Sequence, residues 1–198
     1  PFLYLKYFIL SSKKTKILKK KEIYIISDLH IGGEAPQNSE VRGFQIATRT
    51  KELAAFIYEI SNRNDAEIEL VINGDIVDFL AEKNTNATEN TPLEFAFDDF
   101  TYDADEVIKK LHRIVKRELH VFSALRTLLA NGHALTLLLG NHDVELALPK
   151  VRKYLEKILN TKGKKYQFLH DGEAYMVANG QVLVCLLYTS PSPRDEKV

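Results

Sequence analysis

The chain has 198 residues, of which 45% are hydrophobic and 10% aromatic, so it can bury the core of one α/β-sized domain. Its formal net charge is zero, yet residues 1–21 contain seven lysines and no acid, so the rest of the chain holds seven more acidic than basic side chains. This acidic remainder argues against a broad nucleic-acid footprint, and the single cysteine, Cys185, excludes an internal disulfide framework and a cysteine-rich zinc site.

Residues 1–20 are predicted to be a basic, disordered lead-in. The apolar run in residues 1–10 contains Lys6 and is too short to span a bilayer, and lysines follow it, the reverse of a signal peptide. We therefore expect a cytoplasmic protein without a membrane partner. Because the only methionine is Met176, we also expect the chain to be a fragment or a processed piece.

Three apolar segments are predicted to be buried parallel strands. They are KEIYIISD (21–28), EIELVINGD (67–75) and the segment that follows the turn in NGHALTLLLGN (131–141). A helix over residues 46–60, indicated by apolar residues at helical spacing, separates the first two strands. The order strand, helix, strand predicts a parallel crossover unit.

The later elements extend this α/β pattern. Residues 81–105 are polar and acidic and predict a long loop or a short insertion, expected to be a mobile cover rather than a metal site, whereas 107–130 predict one long helix or two abutting helices. Residues 149–159 begin with proline and predict a further helix. KKYQFLHDG and EAYMVANGQVLVC predict strands, the last two joined in a hairpin at Asn179-Gly180.

Each predicted parallel strand ends in groups that bind metal ions. These groups are Asp28 and His30 after the first strand, Asp75 after the second, and Asn141, His142 and Asp143 after the third. Because ligands of open α/β sheets bind beyond the carboxyl ends of the strands, the three loops can converge on one site. Two residues apart on extended backbone, Asp28 and His30 would point the same way and grip one ion. Oxygen and imidazole donors without thiolates suit manganese, iron, zinc or cobalt.

These motifs together resemble the calcineurin-like metallophosphoesterase superfamily. Its pattern D-x-H, G-D-x-x-D and G-N-H-D/E is matched in order by DLH (28–30), GDIVD (74–78) and GNHD (140–143). The resemblance implies an α/β fold, a metallophosphoesterase-type sandwich of two mixed β-sheets flanked by helices, here incomplete at the C-terminus. It also implies a hydrolase that cleaves a phosphoester substrate with metal-bound hydroxide at a dinuclear centre.

The resemblance further implies which residues hold the two divalent ions. The identity of these ions stays open among manganese, iron, zinc and cobalt. Asp28 and His30 would bind the first ion and Asn141 the second. Asp75, whose carboxylate has two oxygens, would bridge them.

The resemblance also implies the catalytic pair. His142 would donate a hydrogen bond or a proton to the phosphoryl or leaving oxygen, and Asp143 would fix its orientation. Asp78 would support the ligands from behind.

The resemblance covers about residues 21–185, which we predict to be one truncated domain. The superfamily has a further histidine after a strand such as GQVLVC and a later Gly-His-x-His, whereas here Leu186 is followed by LYTSPSPRDEKV. Residues 186–198 resemble translated sequencing adapter and are expected to be a non-native or disordered tail. The metal site of this chain is therefore expected to be incomplete. Whether this chain is active stays an open question.

Two other functions stay open alongside hydrolysis. A non-catalytic scaffold of the same fold would bind a protein partner and would need no proton donor such as His142. A nuclease of the superfamily is disfavoured by the acidic remainder of the chain. The remaining histidines are expected to be structural: His133 and His170 at turns, and His112 and His120 on a solvated basic helix face.

Overall fold

A computed structural model describes residues 5–9, 20–33, 45–82 and 100–185. Within these ranges the β-strands are β1 Leu5–Ile9, β2 Lys20–Ser27, β3 Ala66–Asn73, β4 Ala134–Leu138, β5 Lys165–Leu169, β6 Tyr175–Val177 and β7 Val182–Val184. The α-helices are α1 Thr50–Ser61, α2 Ala104–Arg117, α3 Leu119–Ala130 and α4 Pro149–Leu159. None of these helices has both the length and the apolar character needed to cross a membrane.

The first five strands form one sheet, and they lie side by side in the order of the chain. Strands β2, β3, β4 and β5 are parallel, whereas β1 pairs antiparallel with β2 at the edge. Helices α1, α2, α3 and α4 fall between successive parallel strands, as a parallel connection requires. The loops that follow β2, β3 and β4 therefore all leave from the same edge of the sheet.

The two faces of this sheet are covered differently, because successive side chains of a strand point to opposite faces. On one face, Ile68 and Leu70 of β3 share a core with helix residues such as Leu53 and Leu125. On the other face, Val71 packs in a smaller cluster with Val184 of the hairpin formed by β6 and β7. The chain is thus an α/β protein with a four-stranded parallel sheet flanked by helices.

Most predicted elements are present in the structure with shifted bounds. Residues 107–130 form two helices, since the backbone leaves the helical region at Glu118. The predicted start of α1 was too early, and Ile46 precedes the helix with 40% of its surface exposed. Helix α2 begins within the expected loop because the Asp103 side chain accepts hydrogen bonds from the N–H groups of Asp105 and Glu106 and caps the first turn.

The expected disordered lead-in does not hold for residues 5–9, which form β1. Their backbone pairs with β2 from Leu5 opposite Ile25 to Ile9 opposite Lys21. The rest of the lead-in up to residue 19, the centre of the acidic loop (83–99) and the tail (186–198) lie outside the described residues.

Candidate metal centre at the carboxyl edge of the sheet

The loops after β2, β3 and β4 are joined to one another by hydrogen bonds. The backbone N–H of His30 donates to the carbonyl oxygen of Asp75 at 2.8 Å, and that of His142 donates to Asp75 Oδ1 at 2.8 Å. The N–H of Phe79 donates to the carbonyl oxygen of His142 at 3.2 Å. Asp75 is therefore the residue at which all three loops meet.

Three of the predicted ligands lie in a backbone region that is unfavourable for them. The φ angles are 55° at Asp28, 45° at His30 and 49° at Asp75, all in the left-handed region. A non-glycine residue pays about 1–2 kcal/mol there, and such strain concentrates at functional sites. The expected extended backbone between Asp28 and His30 was wrong, because both residues turn sharply at the strand end.

Asp28, His30 and Asp75 nevertheless form one group of possible metal ligands. One ligand atom from each lies within 4.8 Å of the others. His30 Nε2 is 3.9 Å from Asp75 Oδ2. Because bonds from nitrogen and oxygen ligands to such ions are about 2.0–2.2 Å long, both atoms can reach a single cation. The donor set and its spacing therefore fit a divalent ion.

Asp78 holds two histidines at once. Its Oδ2 lies 3.1 Å from His30 Nδ1 and 3.1 Å from His142 Nδ1, while Oδ1 accepts from the N–H of Ala81 at 2.9 Å. The two rings meet edge to face with centroids 4.6 Å apart. A carboxylate at Nδ1 is the usual arrangement around histidines that bind a metal through Nε2.

The protonation preferences of this group follow from its contacts. Burial by itself would raise the pKa of Asp78, but the hydrogen bonds from His30 and Ala81 outweigh it, so the pKa lies below its ordinary value. The same contact with Asp78 raises the pKa of His30, against the opposing effect of burial. Asp78 is thus an anion that favours positive charge on the His30 ring.

Asp143 lies beneath the site, fully buried, and fastens two loops. Its carboxylate accepts from the N–H of Gly140 at 2.7 Å and from that of Ile76 at 2.8 Å. Burial raises its pKa to about 7 despite these bonds. The carboxylate 3.1 Å from His142 Nδ1 is that of Asp78, whereas Asp143, to which the resemblance gives the role of orienting His142, contacts this loop through the Gly140 N–H.

Gly140 is the point of closest approach between two of the loops. A Cβ atom on Gly140 would lie 2.1 Å from Asp75 Oδ1 and 2.2 Å from the Asp75 backbone nitrogen. No side chain fits there. Asn141 follows directly, is exposed, and lines a cavity beside the site.

The hairpin brings the end of β7 to the same edge. Asn73, the last residue of β3, donates from Nδ2 to the carbonyl oxygen of Cys185 at 3.2 Å. Asn73 Oδ1 is buried and has no hydrogen-bond partner within the described ranges. Cys185, which follows β7, thus lies next to the end of β3.

Sequence reasoning missed two charged features near the site. Glu82 is buried and pairs with Arg113 and Arg117 of α2, so part of the expected solvated basic face is neutralised. Lys110, expected on that face, is 1% exposed, and its Nζ donates to the carbonyl oxygen of Phe79 at 3.2 Å. The only available signal was the helical spacing of Lys110, Arg113 and Arg117, which does not show which acid they meet.

The other histidines make ordinary structural contacts. His133 is buried, with Nδ1 accepting from the N–H of Ile68 and Nε2 donating to the carbonyl oxygen of Ser61, which confirms its structural role. His112 contacts the Tyr154 hydroxyl.

His120 contacts the Thr50 hydroxyl, and His170 is exposed.

Comparisons of the chain with protein-family models, with curated proteins and with solved structures found no match, so the case for its function rests on the residues of the site.

Proposed function

We propose that the chain is a phosphoester hydrolase that depends on two divalent metal ions, with the fold of the calcineurin-like metallophosphoesterase superfamily. The observation that carries the proposal is the grouping of Asp28, His30 and Asp75 within 4.8 Å at the carboxyl edge of the sheet, with His142 held beside them. The packing of the β6–β7 hairpin on the larger sheet supports a two-sheet sandwich.

The ligands divide between two ions. Asp28 and His30 would hold the first ion, Asn141 the second, and Asp75 would contact both. When bound, the ions would activate water and neutralise charge on the phosphoryl group. Manganese, iron, zinc and cobalt all suit these oxygen and imidazole donors.

The protein's own groups position the reactants and hold a proton. Asp78 fixes the ring of His142 through Nδ1, so Nε2 is the atom that gives a hydrogen bond or a proton to a phosphoryl or leaving oxygen. His142 is 22% exposed, so a substrate can reach it. Asp143 acts as a positioning residue, since its bonds to Gly140 and Ile76 keep the Asn141–His142 loop against Asp75.

The proposal predicts that Asp75→Asn abolishes metal-dependent hydrolysis. The substitution removes the negative charge at the residue where the loops meet, and we expect hydrolysis of bis(p-nitrophenyl) phosphate with Mn²⁺ to fall by a hundredfold or more, about 2.7 kcal/mol in the barrier. The measurement is the release of p-nitrophenolate by the full chain.

Asp65→Asn is the matched control. Asp65 directly precedes the same strand, β3, at the opposite edge, its side chain is 66% exposed, and it pairs with Arg63. The hydrolysis rate of the Asp65→Asn variant should stay within twofold of that of the original chain. Undiminished hydrolysis by Asp75→Asn would refute the assignment of Asp75. If the original chain binds Mn²⁺ but hydrolyses nothing, either hydrolysis needs the missing downstream histidines or the chain is the non-catalytic scaffold.

A further inference from the structure

A cavity of about 530 Å³ opens beside the proposed metal site. Gly140 and Asn141 form its end nearest the site, and Val144 and Leu148 form an apolar wall. Phe100 and Tyr102 also line the cavity, and 49% and 90% of their surfaces are exposed. Volumes of about 300–1,000 Å³ with apolar walls and a few polar groups are usual for small-molecule sites.

One acidic residue that lines this cavity, Glu145, has no hydrogen-bond partner for its carboxylate within the described residues. Glu145 lines the cavity with only 4% of its surface exposed, and both carboxylate oxygens are buried without a hydrogen-bond partner in the described part of the chain. Burial raises its pKa, although the charge of Lys110 and the nearby N–H groups of Thr101 and Glu145 itself act in the opposite direction. A buried carboxylate left in this state is costly to the fold.

Three other buried glutamates of the described residues make hydrogen bonds or ion pairs. Glu22 accepts from the Tyr24 hydroxyl at 2.7 Å, and Glu69 accepts from the Tyr175 hydroxyl at 2.6 Å. Glu82 pairs with the guanidinium groups of α2. Packing therefore does not forbid partners for buried glutamates in this fold, and among the buried glutamates of the described residues Glu145 is the one whose two carboxylate oxygens are both buried without a hydrogen-bond partner.

We propose, on the basis of the proposed function, that this cavity binds the organic group of the phosphoester and that Glu145 recognises a hydrogen-bond donor on it. The substrate class is an ester of an alcohol with an aromatic body and a hydroxyl or amino group. The apolar wall and the Phe100 and Tyr102 rings take the aromatic body, and Asn141 places the phosphate end toward the metal ligands.

The test compares two ligands that differ only in the donor. Dissociation constants of benzyl phosphate and 4-(hydroxymethyl)benzyl phosphate are measured by NMR titration of the full chain with Mn²⁺ replaced by diamagnetic Zn²⁺. We expect the hydroxylated ligand to bind about tenfold more tightly, since a hydrogen bond to a buried carboxylate contributes about that factor. In Glu145→Leu the two ligands should bind within twofold of each other.

Two controls separate recognition from folding. Glu52→Leu alters an exposed glutamate of α1 and should keep the tenfold preference. Glu145→Leu should unfold at a denaturant concentration no lower than the original, because it removes an unpaired buried carboxylate. If that variant fails to fold, Glu145→Gln, which keeps the shape and lowers the charge, should reduce the preference at least threefold.

The result also separates this inference from the proposed function. Equal affinity for the two ligands in the original chain, or an unchanged preference in Glu145→Leu, overturns the inference even if hydrolysis is observed. A preference that depends on Glu145 in a chain without metal-dependent hydrolysis supports the cavity as a binding site and overturns the hydrolase proposal alone.

Discussion

Asp78 determines how both histidines of the site present themselves. Its Oδ2 lies 3.1 Å from Nδ1 of each ring and so fixes which nitrogen of each ring faces the carboxylate. Asp78 is fully buried and anchored by Ala81, so this orientation does not depend on solvent. A single carboxylate thereby couples the proposed metal ligand His30 to the proposed proton donor His142.

Gly140 shows how tightly the loops of the site are packed. We expect Gly140→Ala to lower the free energy of unfolding by about 3 kcal/mol, because a methyl group would overlap both Oδ1 and the backbone nitrogen of Asp75 and force the loops apart. The measurement is urea denaturation followed by circular dichroism.

Gly163→Ala is the control for this substitution. Gly163 has φ +71°, but a Cβ atom there meets nothing within 4 Å, so only the backbone penalty of about 1 kcal/mol applies. Equal losses of stability in the two variants would show that the approach of Gly140 to Asp75 does not constrain the fold.

The residues of the site differ in how far the sequence alone could predict them. Asp28, His30, Asp75 and His142 follow strand ends in recognisable motifs, and the structure brings them to one edge. The contact of Asp78 with both His30 and His142, and the lack of a hydrogen-bond partner for Glu145 among the described residues, depend on side-chain positions set by three separate loops. Such positions are fixed by packing across the fold, which no local pattern encodes.

At the scale of secondary structure, helix α2 fastens the loops of the site from outside. Glu82, in the segment after β3, accepts from Arg113 Nε at 3.0 Å, pairs with Arg117, and accepts from the backbone N–H of Gly33 at 3.3 Å. The loops after β2 and β3 are thus tied to α2 through one buried carboxylate.

Removing this carboxylate should loosen that attachment. We expect Glu82→Ala to lower the free energy of unfolding by about 2–3 kcal/mol. Breaking a fully buried pair costs about 3–5 kcal/mol. The expected loss is smaller here because the Arg113 and Arg117 side chains are 29% and 31% exposed. Thermal or urea unfolding measures the effect. Glu52→Ala, which removes an exposed partner of Arg49, should cost less than about 0.5 kcal/mol. Similar costs for the two variants would contradict the proposed attachment.

The strands differ in how strongly their sequences specify them. Strand β3 is predictable because both of its faces are buried, which produces a continuous apolar run. Within the described ranges strand β1 pairs with β2 alone, and its sequence lies beside a lysine-rich segment, so the composition indicated disorder. Its pairing is determined by the exposed edge of β2, which belongs to the tertiary structure.

At the scale of the whole molecule, the site joins distant parts of the chain. Asp28, Asp75 and His142 come from loops separated by dozens of residues, and the helices lie on one face of the sheet while the hairpin covers the other. The α/β class and the parallel crossover from β2 through α1 to β3 followed from the alternation of apolar segments. Which loops touch required the register of the sheet, such as Ile26 opposite Ile72 and Ile72 opposite Leu137.

Because the ligands belong to separate loops, a bound ion should stabilise the whole fold. A ligand that binds only the folded state at a hundred times its dissociation constant adds about 2.7 kcal/mol, which raises the melting temperature of a chain of this size by about 5–10 °C. We expect this increase with Mn²⁺ by differential scanning calorimetry, and its reversal with EDTA. Asp28→Asn should abolish most of the increase, because it removes an exposed ligand without disturbing the core. Asp65→Asn, far from the site, should retain it, and an equal increase in both variants would place the ion elsewhere.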